Sequence, residues 1–180
     1  MKNKYVISKT INCKFKKVKN KHSNLKKIVV FCSLFIFVSI IFVSISNEYF
    51  PVYKISTNSM EPTINEDDII LTTKSTKIKN QDIILFKNNE KILIRRVIGT
   101  SGEVINIKED GTVYVNSLKI KETYVKKRQL GNSDLVYPYV VPENQIFVLN
   151  DDRSEIHDSR IKSFGCISIN DVIGTIRFSF

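Results

Sequence analysis

In Val104-Ile-Asn-Ile107, Lys108-Glu-Asp-Gly111 and Thr112-Val-Tyr-Val115, two short β-branched runs flank an Asp-Gly pair. The outer runs alternate with period two, which turns one side of each toward a core. Asp110-Gly111 tolerates the positive φ that a tight reversal needs, so the stretch reads as a β-hairpin. Runs of the same kind recur on both sides. Upstream are Asp68-Ile-Ile-Leu-Thr-Thr73, Asp82-Ile-Ile-Leu-Phe86, and Ile92-Leu-Ile94 continuing to Val97-Ile98. Downstream is Ile146-Phe-Val-Leu149. Gly99 and Ser101-Gly102 mark another bend, and nothing after residue 47 has helical period. The expected fold is mostly β, an antiparallel sandwich or folded-over barrel without crossover helices. Residues 121–143 are polar, with Gly131, Pro138 and Pro142, and read as a long surface loop.

The first 46 residues differ from this in kind. Ten lysines and no Asp, Glu or Arg fall within residues 1–27. The whole chain has 28 Lys and Arg against 18 Asp and Glu, so residues 28–180 hold 18 of each sign. All of the net charge of +10 therefore lies in the tail. A nucleic-acid-binding domain would carry its basic patch on the folded part, and that class is excluded. From Ile28 to Ile45 run 18 residues without charge, Pro or Gly. As a helix they span roughly 27 Å, a bilayer's hydrocarbon thickness. The sequence divides into a basic cytoplasmic tail (1–27), a transmembrane anchor (28–46) and an extracytoplasmic domain (47–180). The lysine bias keeps the N-terminus inside, making a single-pass cell-membrane protein with its main domain outside. The tail would also be drawn to anionic lipid. Cleavage near Ser44-Ile45-Ser46, as in a secretory signal peptide, is the competing reading.

The three cysteines, Cys13, Cys32 and Cys166, fall in three different compartments on this topology and can form no intramolecular disulfide outside. No cluster has metal-ligand spacing, and neither a metal nor another cofactor is expected.

Chemistry concentrates in four ordered boxes. They are Thr57-Asn-Ser59-Met60-Glu-Pro62-Thr63; Gln81-Asp-Ile-Ile-Leu-Phe86; Arg95-Arg96-Val-Ile-Gly99-Thr-Ser-Gly102-Glu103; and Asn150-Asp151-Asp152-Arg153 with Asp158-Ser159-Arg160. The series resembles the bacterial type I signal peptidases, in their Gram-positive form, from the apolar run almost to the C-terminus. That resemblance implies a β-fold serine endopeptidase with a Ser/Lys dyad, cutting exported preproteins after Ala-x-Ala-type signals. It implies that Ser59 is the nucleophile. It implies an oxyanion hole from the Ser59 N–H and the Thr57 hydroxyl, and a small-residue pocket lined by Met60 and Ile94. Arg96, Asp151, Arg153, Asp158 and Arg160 match its structural ion-pair set.

Two positions depart from the pattern. Arg95 stands where the family has its general-base lysine, and Ile156 stands where a serine orients that lysine. Neutral lysine has a lone pair for a serine proton, whereas a guanidinium offers five donors and no acceptor. Lys91 lies four strand residues away, roughly 13 Å, out of reach. His157 is the remaining candidate base, and Arg95 could instead pair with Asp152. Two functions follow. One is a signal peptidase that removes signal peptides. The other is a catalytically impaired homologue serving as an accessory factor in surface pilus or exported-protein assembly. Its expected partners are the lipid bilayer, preproteins or their signal peptides, and pilin subunits or sortase.

Overall fold

The computed structural model describes residues 26–44, 50–74 and 77–180. They form two compact units, divided between Glu48 and Tyr49.

The first unit contains one helix, α1 (Lys26–Ser44), 19 residues long. That is about 28 Å, enough to cross a bilayer's hydrocarbon layer. Its large apolar side chains are exposed all round, from Phe31 and Phe35 to Phe42, as a helix solvated by lipid requires. Three of its serines turn their hydroxyls back onto the chain: Ser33 donates to the Val30 carbonyl, Ser39 to Phe35 and Ser44 to Ile40. No serine hydroxyl there needs water. The expected run reached Ile45 and Ser46, which lie outside the described residues, as do the basic tail to residue 25 and Cys13.

The second unit has only antiparallel strand pairings among its described residues, and one 3-10 turn (Ile169–Asp171) precedes its last strand. Its strands are β1 (Val52–Lys54), β2 (Ile69–Thr73), β3 (Ile83–Asn88), β4 (Lys91–Thr100), β5 (Val104–Ile107), β6 (Val113–Val115), β7 (Leu118–Lys119), β8 (Tyr139–Val140), β9 (Gln145–Leu149), β10 (Ile167–Ser168) and β11 (Val172–Ser179). Seven form one sheet in the order β1-β2-β11-β3-β4-β9-β10, and four a second in the order β7-β6-β5-β8. The Asp-Gly hairpin is β5–β6, with Ile107 opposite Val113. Asp110 accepts from the Thr112 N–H and hydroxyl, and Gly111 has φ 79°. A Cβ at Gly111 would also strike the Gln129 main chain at 2.3 Å, so glycine is required there twice over.

Ten-residue β4 holds the unit together, because it feeds three apolar clusters. Ile94 packs with Ile55, Met60, Ile64, Ile70 and Leu85. Val97 packs with Ile84, Phe86, Ile146, Val148 and Ile167. Ile98 joins residues of β5, β6 and β9, which ties the two sheets to one core. Each such aliphatic side chain contributes about 1.5–3 kcal/mol when fully buried. Buried on both faces, β4 can carry a polar side chain only into a site that satisfies it.

One expectation is corrected here and one omission is filled. Segment 121–143 is not simply a surface loop. Glu122 and Val141 are buried, and β8 within it pairs with β5. The second concerns β11, absent from the sequence reading, which lies between β2 and β3 in the large sheet. Gly174 lies within it. There the strand bulges against β3, and a Cβ would come within 2.8 Å of the Thr73 carbonyl oxygen.

Candidate active site

Arg95 and Arg96 are neighbours on β4, paired with Ile84 and Ile83 of β3, so their side chains leave the strand on opposite faces. Both are buried. The loop carrying Ser59 and the segment 150–160 close around them.

Arg95 Nη1 donates to Ser59 Oγ at 3.0 Å and to its neighbour's carbonyl, Ile94 O, at 2.6 Å. Nε and Nη2 both donate to the His157 main-chain oxygen, at 3.1 and 2.8 Å. No carboxylate among the described residues forms an ion pair with this guanidinium. Burial pushes its pKa below the ordinary value, and Asp158 and then Glu155 pull it back through space. The face of Phe164 lies 6.0 Å from Cζ. Ser59 is 1% exposed and Arg95 3%, so the hydroxyl and its cation are sealed together. The Asp152 N–H donates to the Ser59 carbonyl and fastens the last box to the first.

Thr57 sits beside Ser59 as expected, but the two groups expected to form an oxyanion hole bond each other. The Ser59 N–H donates to Thr57 Oγ1 at 3.2 Å. Met60 and Ile94 share one apolar cluster and are 0% and 1% exposed, so the space between them is filled. The Asp152 carboxylate accepts from the Ser154 N–H and hydroxyl rather than pairing with Arg95. Ile156 turns away from the site onto Gly131, where a Cβ would meet its Cγ2 at 2.6 Å. His157 reaches Arg95 through its carbonyl. Its imidazole packs edge-on against Phe164, with ring centroids 5.0 Å apart, on an exposed residue. Lys91 sits at the β3–β4 turn opposite Asn88.

The other three buried arginines are each matched by a carboxylate. Arg96 grips Asp151 with two bonds, Nε–Oδ1 at 2.8 Å and Nη2–Oδ2 at 2.6 Å. The Thr63 hydroxyl donates to the same Oδ2 at 2.5 Å. Arg160 grips Asp158 likewise, at 2.9 and 2.8 Å, and also donates to the carbonyls of Gln129, Leu130, Arg153 and Glu155. Arg153 pairs with Glu122, a residue of the segment read as surface loop. Glu122 was missed because nothing in a polar run of a single sequence distinguishes a buried acid from a solvated one. Tyr124 was missed too. Its ring lies 3.8 Å from Arg96 Cζ, and burial raises its phenol pKa.

A buried serine thus lies against a strand cation, with a Pro-Thr turn and an Asp/Arg box around them on antiparallel sheets. Residues 25–180 match the family described as signal peptidase, peptidase S26, and the chain belongs to that family. A signal peptidase I of Bacillus amyloliquefaciens is 28% identical over 92% of this chain and 94% of its own. Signal peptidase I V of Bacillus subtilis is 33% identical over 74% and 88%. An inactive signal peptidase IA of Staphylococcus aureus is 27% identical over 87% and 93%. A crystal structure of a signal peptidase I from Enterococcus faecalis, 28% identical, aligns with 58% of this chain and 100% of that one at a TM-score of 0.47. The protein is thus signal peptidase I-like, a serine-peptidase homologue whose apolar helix fits a single membrane span.

Proposed function

We propose that this protein engages signal peptides of exported preproteins on the outer face of the membrane and has lost most or all of the ability to cut them. The observation that carries the reading is the Arg95 Nη1–Ser59 Oγ hydrogen bond of 3.0 Å. A general base must accept the serine proton, and this contact runs the other way: the hydroxyl oxygen accepts from a cation. The guanidinium has no lone pair to exchange for it. Lowering its pKa by burial does not help, because a protonated arginine still dominates at neutral pH. Further support comes from the Ser59 N–H, already spent on Thr57, and from the His157 ring, which packs on Phe164. One relative is itself named an inactive signal peptidase. The lysine tail supports an orientation with residues 47–180 outside.

The test is cleavage of a preprotein with an Ala-x-Ala signal by the full-length protein in detergent, beside Arg95→Lys and Ser59→Ala. The parent should be inert. Arg95→Lys should raise cleavage at least about 100-fold above the parent. A lysine there is buried enough to lose its proton, and the His157 carbonyl can orient it as it now orients Arg95. Brisk cutting by the parent that Ser59→Ala abolishes would sink the proposal and send the search for a base elsewhere.

A further inference from the structure

A cavity of about 520 Å³ lies at the β3–β4 turn, lined by none of Thr57, Ser59, Met60, Ile94 or Arg95. Its volume is within the roughly 300–1,000 Å³ of small-molecule sites. The apolar part of its lining is Leu93 of β4 with Ile161 and Phe164, all half-buried. The polar part is Asn88, Asn89, Glu90 and Lys91 from the turn, with His157 and Ser163 from the segment after β9.

This lining narrows the ligand in three ways. Its charges cancel, since Glu90 and Lys91 are its only charged side chains with histidine neutral, so neither a polyanion nor a cation is favoured. Its six polar side chains supply donors and acceptors alike. Among the described residues none of the six hydrogen-bonds or ion-pairs through its side chain. Its one phenyl ring is fixed in place. Phe86 and His157 meet Phe164 edge-on at 6.4 and 5.0 Å between centroids, and Arg95 Cζ lies 6.0 Å from it. A ring so held is a stacking platform that needs little further ordering. The main chain around it is meanwhile used internally. Asn88 pairs with Lys91 across the turn, and the N–H groups of Ile161, Phe164 and Gly165 donate to the carbonyls of Asp158 and Ile161. Recognition here falls to side chains, which separates the cavity from a site that adds a peptide strand to a sheet edge.

We propose that this cavity binds a neutral saccharide. A pyranose has an apolar C–H face to lay on Phe164. Its hydroxyls, each both donor and acceptor, match the carboxamides of Asn88 and Asn89, Glu90, Lys91 and Ser163. A fatty chain would leave those groups without partners, at a cost for each one it covers. The inference goes beyond the function proposed above and does not depend on whether Ser59 engages or cuts a signal peptide.

The probe is N,N′-diacetylchitobiose. The full-length protein is held in a detergent without a sugar headgroup, and binding is read by saturation-transfer difference NMR. The expected Kd is about 1 mM or tighter, with the strongest transfer to the C–H protons of one pyranose face. Asn89→Gly is compatible with that residue's φ of 55°. It and Ser163→Ala should each weaken binding about 2–10-fold, the scale of one hydrogen bond. Phe164→Leu should abolish the one-sided transfer, and the two turn variants carry the test if it does not fold. Absence of transfer at about ten times that concentration overturns the inference. Transfer that both turn variants leave unchanged also overturns it, because the sugar then sits elsewhere. A capped tripeptide of alanine and asparagine that displaces the disaccharide with higher affinity overturns it as well, by making the cavity a peptide site.

Discussion

Arg160 and Arg95 are both buried, both reach several main-chain carbonyls, and lie in one site, yet they answer to different demands. Arg160 takes both oxygens of Asp158 and ties the segments 129–131, 153–155 and 158–160 together. Every donor has a structural task, and its charge is cancelled where it stands. Arg95 has the same chemistry with no carboxylate, and its single side-chain partner is the hydroxyl of Ser59. The difference separates arginines that hold the site's walls from one that occupies its centre. Burial alone does not identify function, since both are sealed from water. What distinguishes Arg95 is that no carboxylate is bonded to it.

The comparison is broken most directly by removing the wall. Arg160→Met should cost about 3–5 kcal/mol, because it leaves Asp158 charged and buried and strips four carbonyls of a donor. Unfolding by urea checks this, followed by far-UV circular dichroism or tyrosine fluorescence, the chain having no tryptophan. A loss under about 1 kcal/mol would show that Arg160 does not hold the walls.

Arg153 sharpens the same point. Arg153→Met alone should cost roughly 3 kcal/mol by orphaning Glu122, whose Oε2 has no hydrogen-bond partner even now. The double change with Glu122→Leu should recover at least half of that loss, since the penalty lies in the charge left behind. If the double variant is as unstable as the sum of the singles, the pair is not coupled and Glu122 is a bystander.

How much of this could be read beforehand varied with the kind of signal. Strands β2 to β6 and β9 were visible because alternating β-branched runs and an Asp-Gly turn are local properties. Strand β11 was not, because Gly174 is a close-approach site whose meaning depends on Thr73, about a hundred residues away. The residues of the site were legible as boxes, but their contacts were not. That Thr57 satisfies the Ser59 N–H, that Ile156 lies on Gly131, and that His157 contributes a carbonyl are facts of loop path, which no periodicity encodes. Glu122 shows the limit most sharply. Its partner Arg153 was singled out from the sequence, yet the acid is 31 residues upstream in a run that reads as solvated.

The smallest effect is expected at the most conspicuous residue. Arg95→Met removes a buried cation, and with it the cost of holding that charge out of water. It also removes four donated hydrogen bonds. Ser59 can redirect its own hydroxyl, whereas the His157 carbonyl loses a donor it received twice. Methionine is flexible and close to the size of the arginine stem, so it fills the space beside Phe164 without a large cavity. These terms oppose each other, and the net change in unfolding free energy should stay within about 1 kcal/mol, well under that of Arg160→Met. A loss as large as that of Arg160→Met would place Arg95 among the structural arginines. A small loss would show that the fold does not depend on this cation, whereas it does depend on that of Arg160.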